Sequence, residues 1–173
     1  MLILRELPVE QCAEVVAWVT DPLVQFWWTA NTFDSPVRSH DLAGHVTAAE
    51  AKGGRACLGA YEDGTELVAY LEIGSIDEAN RSGRLERMIV APAARGRGVG
   101  RTVVRAAQDR FFQDGHMHRL ELVVASDNVA AQRCYRAAAF TAEGVLRESR
   151  LDGTRWRSVD VMGILRAEWE RAR

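Results

Sequence analysis

The chain has little of what marks several large functional classes. It holds three cysteines, Cys12, Cys57 and Cys134, an odd number set far apart with no Cys-x-x-Cys pair. They read as free buried thiols, which excludes a disulfide framework and a cysteine metal knuckle. The four histidines, His40, His45, His116 and His118, show neither metal-like nor triad spacing, and no metal is expected. No run approaches the about 18 consecutive apolar residues of a membrane helix, and Met1–Glu6 lacks a signal-peptide pattern. A soluble, cytoplasmic protein without a membrane partner is therefore expected. A formal net charge of −2 argues against a nucleic-acid partner. There is no repeat, low-complexity linker or composition break, so the 173 residues read as a single domain, 1–173, and 47% hydrophobic content suffices for its core.

What is there is concentrated in one place. Arg95-Gly96-Arg97-Gly98-Val99-Gly100-Arg101 follows an apolar strand-like segment, Leu85–Val90, and opens a helical one. Glycines let the backbone bend tightly and approach a bound group without Cβ atoms in the way. The helix N-terminus behind them adds unpaired N–H donors and the positive end of a dipole. Between Arg87 and Gln108 lie five arginines (Arg87, Arg95, Arg97, Arg101 and Arg105) and no acidic residue. An anion is expected here.

The spacing decides which. A P-loop needs Gly-x-x-x-x-Gly-Lys-Ser/Thr, but Gly96 to Gly100 is one residue short and Arg101 stands in the lysine position. The dinucleotide fingerprint Gly-x-Gly-x-x-Gly fails on the two-residue glycine spacing, and it belongs in a first βα unit. Arg95, Gly98 and Gly100 do satisfy Arg/Gln-x-x-Gly-x-Gly, which resembles the acetyl-CoA signature of the GNAT superfamily of N-acetyltransferases. Met88-Ile89-Val90-Ala91-Pro92 looks like that family's fourth strand, and Arg119–Ala125 like its fifth. Asn128-Val-Ala-Ala-Gln-Arg-Cys-Tyr135 with Phe140 is similar to its Asn-x-x-Ala-x-x-x-Tyr block, although Ala139 replaces the usual glycine. Glu143–Glu148, Asp152-Gly153, Asp160 and Glu168-Trp169 resemble the ribosomal-protein N-terminal acetyltransferase branch, the RimJ/RimL type.

The periodicities predict strands over 1–6, 55–62, 66–73, 83–91, 120–125, 140–150 and 154–165, with a hairpin at Asp63-Gly64. Helices are predicted from Pro8, over 39–51 with Ser39 as N-cap, over 99–113 with Val99, Val103, Ala107 and Phe111 on one face, and over 128–138. Asp21-Pro22 ends the first helix or begins a short second one. The fold class is α/β: a single mixed, mostly antiparallel sheet flanked by helices, with the resemblance implying that the fourth and fifth strands splay apart to hold the cofactor.

The resemblance implies acetyl transfer from acetyl-CoA to a primary amine, in a ternary complex. The acceptor is a small molecule or a peptide: the branch favours a protein N-terminal amine, and an aminoglycoside or polyamine is the alternative. A non-catalytic acyl-CoA-binding domain would keep the same loop. Backbone groups of Met88, Ile89 and Val90 would meet the pantetheine arm and the reacting oxygen, residues 95–101 the pyrophosphate, and Asn128 the cofactor arm besides capping its helix. Tyr135 is the candidate general acid, since a phenol with pKa about 10 is protonated at neutral pH. Glu86 on the fourth strand is the candidate base, with an ion pair to Arg84 or Arg87 as the alternative; Glu72, Glu121 and Glu143 are its rivals, and Glu121 is expected to face solvent. Phe26-Trp27-Trp28 stands out against 8% aromatic content. Two adjacent indoles cannot both enter one core, so one is expected to line a cleft, with packing between helices as the alternative; Trp27 and Trp28, with Glu72, are the candidate acceptor-site residues. Homodimers are common among similar proteins, and nothing in the sequence fixes that state here.

Overall fold

Residues 1–29 and 31–173 are described by a computed structural model. The alternation in Leu2–Glu6 forms β1, which pairs antiparallel with β2 (Ala56–Glu62). β2 turns through Asp63 and Gly64, both at positive φ, into β3 (Glu66–Asp77). β4 (Ser82–Val90), β5 (Arg119–Ala125), β6 (Thr141–Leu151) and β7 (Trp156–Leu165) complete a seven-stranded sheet in the order β1-β2-β3-β4-β5-β7-β6. Among the described residues, only β4 and β5 run parallel.

Both faces of the sheet are covered. On one side lie α1 (Cys12–Ala17), α2 (Pro22–Thr29) and α3 (Ser39–Lys52), packed through Val15, Leu42 and Val46 onto Tyr61 and Tyr70. On the other, α4 (Val99–Phe112) buries the expected Val99, Val103, Ala107 and Phe111 against Leu58, Leu71 and Leu120. Each of these valine, leucine and phenylalanine side chains contributes about 1.5–3 kcal/mol on leaving water. α5 (Val129–Ala137) follows β5, and its Asn128 cap accepts the Ala131 N–H at 3.1 Å.

One expectation at a helix end is corrected. Ser39 is not the N-cap of α3; Arg38 is, because the Asp41 carboxylate accepts the Arg38 N–H at 2.8 Å. A sixth helix, α6 (Arg166–Arg171), was unforeseen, six residues being too few to show a period. Its Trp169 lies against Phe112, ring centroids 5.3 Å apart, and donates to Asp109 at 2.8 Å.

Ala139, the departure from the family block, sits at φ 67. A left-handed alanine costs about 1–2 kcal/mol, and glycine would give back about 0.4–1 kcal/mol through its freer unfolded chain. Ala139→Gly is therefore expected to stabilise the protein by about 0.5–1 kcal/mol, raising Tm by about 1–4 °C in a thermal melt.

Candidate active site

β4 and β5 are in register only over Ser82–Arg84 with Arg119–Glu121. Beyond Arg84 they diverge, as expected of the fourth and fifth strands. The gap opens a cleft of about 1120 Å³ running from Trp27 and Trp28 at one end to the glycine loop at the other.

At the loop end, Gly96 (φ 76) and Gly98 (φ 83) take left-handed conformations, and Gly98 caps α4. Thr102 N–H bonds the Gly98 carbonyl at 3.3 Å. The N–H groups of Val99, Gly100 and Arg101 precede that bond and have no partner within the helix. A Cβ on Gly100 would lie 3.1 Å from Cys134 Sγ and 3.7 Å from Met88 Cε, so the glycine keeps open the place where α4, α5 and β4 meet. A cradle of this kind fits a phosphate-bearing cofactor. Gly98→Val is expected to weaken acetyl-CoA binding by at least about tenfold, the equivalent of one lost charge-assisted hydrogen bond. Arg105→Ala should leave it unchanged in calorimetry, because Arg105 lines a separate cavity beside Trp169.

The arginines divide up differently from the sequence reading. Arg95 lines the cleft and donates to the Val90 carbonyl at 3.0 Å and to that of Trp18 at 3.4 Å, which pins the loop. Arg97 pairs with Glu62 at 3.1 Å, and Val99 turns its side chain into the core. Neither side chain lines the cleft. Arg101 does, together with Arg133, which the sequence reading did not single out.

Arg87 is drawn furthest from its expected role. Its guanidinium clamps Glu72 through two hydrogen bonds of 2.7 Å and reaches Glu86 at 2.8 Å. Arg55 on the adjacent segment bonds Glu72 at 2.6 Å and also bonds Glu86. Tyr70 and His45 add contacts to Glu72 at 2.6 and 3.1 Å, and Ser75 one to Glu86 at 2.7 Å. Glu72 is wholly buried, which corrects its place as an acceptor-binding residue: it lies beneath the cleft wall, not on it. Burial alone would raise its carboxyl, but the hydrogen bonds of His45, Arg87 and Tyr70 outweigh that and hold it far below the usual carboxylate range. Glu86 does line the cleft. Burial raises its carboxyl too, and the bonds from Arg55 and Ser75 again win, leaving it lowered. So anchored, it is a weak proton acceptor. Arg84 does not pair with it but with Glu121, across the parallel register, and Glu143 is held by Arg119.

His45, Cys57 and Glu72 bring possible metal-ligating atoms within 4.8 Å of one another, a grouping invisible in their spacing. A cation there would face two guanidiniums, and burial pushes the Cys57 thiol up to about 11, so the chemistry of the set does not suit one.

Tyr135 lines the cleft, its ring edge-on to Phe140 with centroids 6.0 Å apart. Among the described residues its hydroxyl has no hydrogen-bond partner. Burial pushes the phenol above its ordinary value, so it carries its proton at every physiological pH. The two indoles differ in their partners. Trp28 is buried against Tyr70 and Phe33, and Trp27 reaches across to donate to Asp127 at 3.0 Å. Arg150, at the far end of β6, also lines the cleft. No motif signalled it.

The model described as the Acetyltransferase (GNAT) family matches residues 12–140. The chain belongs to this family. Family members use acetyl-CoA, the group the glycine cradle fits. Among proteins of known name, a spermidine N(1)-acetyltransferase of Vibrio cholerae is 31% identical over 103 residues, 60% of this chain and 59% of that protein. The alignment thus spans about three fifths of that relative's length. The Escherichia coli K12 spermidine N(1)-acetyltransferase is 22% identical over 152 residues, 88% of this chain and 74% of that one. The crystal structure of the Vibrio cholerae spermidine N-acetyltransferase with CoA and spermine superposes with a TM-score of 0.86 at 22% identity, covering 98% of both chains. A dodecameric structure of spermidine N-acetyltransferase from Vibrio cholerae does so with a TM-score of 0.78 at 22% identity, covering 99% and 98%. These likenesses establish the GNAT fold and correct the branch: the relatives are spermidine acetyltransferases, not ribosomal-protein N-terminal acetyltransferases of the RimJ/RimL type.

Proposed function

We propose that this GNAT protein acetylates a primary amine from acetyl-CoA, and that the acceptor is a polyamine. The observation that carries the transfer is one cleft joining the glycine cradle to a protonated, unpartnered Tyr135 hydroxyl. The acceptor class rests on the named relatives, and it replaces the protein N-terminal amine read from the sequence.

Acetyl-CoA, when bound, supplies a thioester. The N–H groups of Gly100 and Arg101 would hold its pyrophosphate, and the backbone of Met88 and Val90, with Asn128, would line its arm. As the amine nitrogen bonds to the acetyl carbon and the carbon–sulfur bond breaks, Tyr135 would give its proton to the sulfur, and the proton lost by the amine nitrogen would return to the phenolate through water. Glu86 does not take that proton, because two guanidiniums already hold its charge. It would hold the Arg55 and Arg87 guanidiniums at the cleft wall, with the Trp27 indole beside the path of an incoming ammonium chain.

A second reading has its own observation. Arg150 is half-buried on the cleft wall and has no carboxylate partner among the described residues. That favours an amine that also carries an anionic group. A panel of spermidine, spermine, amino acids and short peptides, followed by thiol release and mass spectrometry, separates the two. Acetylated spermidine supports the proposal, and turnover confined to carboxylate-bearing amines replaces it.

Self-association belongs to the same reading. β6 is an edge strand exposing Val145 (55%), Leu146 (48%) and, beside it on β7, Trp156 (60%). Exposed edges of this kind invite pairing with another chain. Light scattering is expected to give a mass above one chain, falling toward the 19.2 kDa monomer on Val145→Asp.

A further inference from the structure

The register of β3 and β4 shifts twice, between Gly74 and Asp77 near the end of β3 and between Tyr70 and Glu72 at the cleft. Tyr70 faces Ile89 and Glu72 faces Glu86, so the two residues Arg87 and Met88 stand opposite the single residue Leu71. Such a bulge redirects the backbone of its strand. Here Arg87 takes φ 45, a conformation that costs a non-glycine residue about 1–3 kcal/mol and persists only where its surroundings hold it.

The holders are visible at both ends of the residue. Its side chain is clamped by the buried Glu72 carboxylate. Its carbonyl accepts a 2.7 Å hydrogen bond from the Trp28 indole N–H, an interaction 59 residues long in sequence. Trp28 itself is only 4% exposed, fixed edge-on to Tyr70. The indole of α2 is therefore a rigid donor aimed at one backbone oxygen.

That oxygen shares a peptide plane with the Met88 N–H, and in a trans peptide the two point in opposite directions. Holding the Arg87 carbonyl on Trp28 therefore turns the Met88 N–H away from α2. Strand alternation points the same way. Ala91 N–H donates to the Val68 carbonyl on β3, so Ile89 faces β3 and the amides of Val90 and Met88 face the gap.

We infer that Trp28 is a positioning residue: its indole N–H fixes the Arg87–Met88 peptide so that the Met88 N–H is presented to the thioester oxygen. Trp28 thus acts through the backbone rather than as a wall for the acceptor. The inference rests on the acetyl-transfer reading, and its test has an arm that does not.

The variant is Trp28→Phe, which keeps an aromatic ring against Tyr70 and loses the donor. In the unliganded protein, the Arg87 carbonyl carbon and the Met88 amide nitrogen are expected to shift in the NMR spectrum, with exchange broadening at Met88 and none at Leu120. In turnover, kcat is expected to fall by about tenfold to a hundredfold, the scale of a small misplacement of a reacting group, with acetyl-CoA affinity held within about twofold. An unshifted Met88 amide overturns the clamp whatever the enzyme acetylates. A shifted amide with unchanged kcat, or a kcat loss matched by lost acetyl-CoA affinity, overturns the positioning role. Should Trp28→Phe fold poorly, benzothienylalanine at position 28, of the same shape but with sulfur replacing the N–H, puts the same question.

Discussion

Replacing Glu72 by alanine is expected to cost about 3–5 kcal/mol of stability, the usual penalty for stranding buried charge. Glu72 has no solvent exposure, and it neutralises Arg87 and Arg55, whose side chains are 11% and 24% exposed. Removing it leaves two guanidiniums sharing Glu86 alone. Urea unfolding at pH 7, read against the wild type, measures the loss; a change below about 1 kcal/mol would mean that water replaces the carboxylate at little cost. The same network sets a pH dependence. Glu72 and Glu86 both have folded-state pKa values below their unfolded ones, near 4.3. Their contribution is complete above the unfolded value and disappears as pH falls through the folded values. The gap between wild type and Glu72→Ala should therefore be wide at pH 7 and narrow progressively below about pH 4.

The residues of this network show what a sequence can and cannot disclose. The glycine loop and the helix behind it were legible because their parts are contiguous: three glycines, an arginine three residues before Gly98, and a helix whose apolar face repeats every turn. The strands were legible for the same local reason. The partners of Glu72 come from α3, β3, β4 and the turn before β2, and no spacing links His45, Arg55, Tyr70 and Arg87. Arg84 looked like a partner for Glu86 because it is near in the chain, yet a parallel register with β5 delivers Glu121 to it instead. The indole pair was conspicuous as a composition anomaly. What each indole bonds depends on the bulge at Arg87, whose positive φ in a non-glycine residue nothing local announces. The wrong branch has a related cause, since the C-terminal motifs lie on β6, β7, α6 and the turn at Asp152-Gly153, and none of their residues lines the cleft.

Tyr135→Phe is expected to lower kcat by about 10²-fold, the scale of one acid–base group. Acetyl-CoA affinity and Tm should be little changed. The ring packs against Phe140 and would remain, and the hydroxyl makes no protein hydrogen bond among the described residues whose loss would destabilise the fold. The raised phenol matters to the sign of the pH effect. A donor that holds its proton across the physiological range imposes no alkaline limb of its own below its shifted pKa. Wild-type kcat/KM should then rise with pH as the acceptor amine loses its proton, and level off near that amine's pKa. The variant should follow the same curve at a lower height, because the amine, not Tyr135, shapes it. Pre-steady-state mixing of amine with the enzyme–acetyl-CoA complex measures the step directly. If the variant transfers acetyl at the wild-type rate, the proton reaches the sulfur from water, and the tyrosine serves only to pack α5 against the turn at Ala139. If the loss shrinks with a thioester whose thiolate leaves more readily, the missing proton is the cause. That dependence on the leaving group separates an acid from a wall.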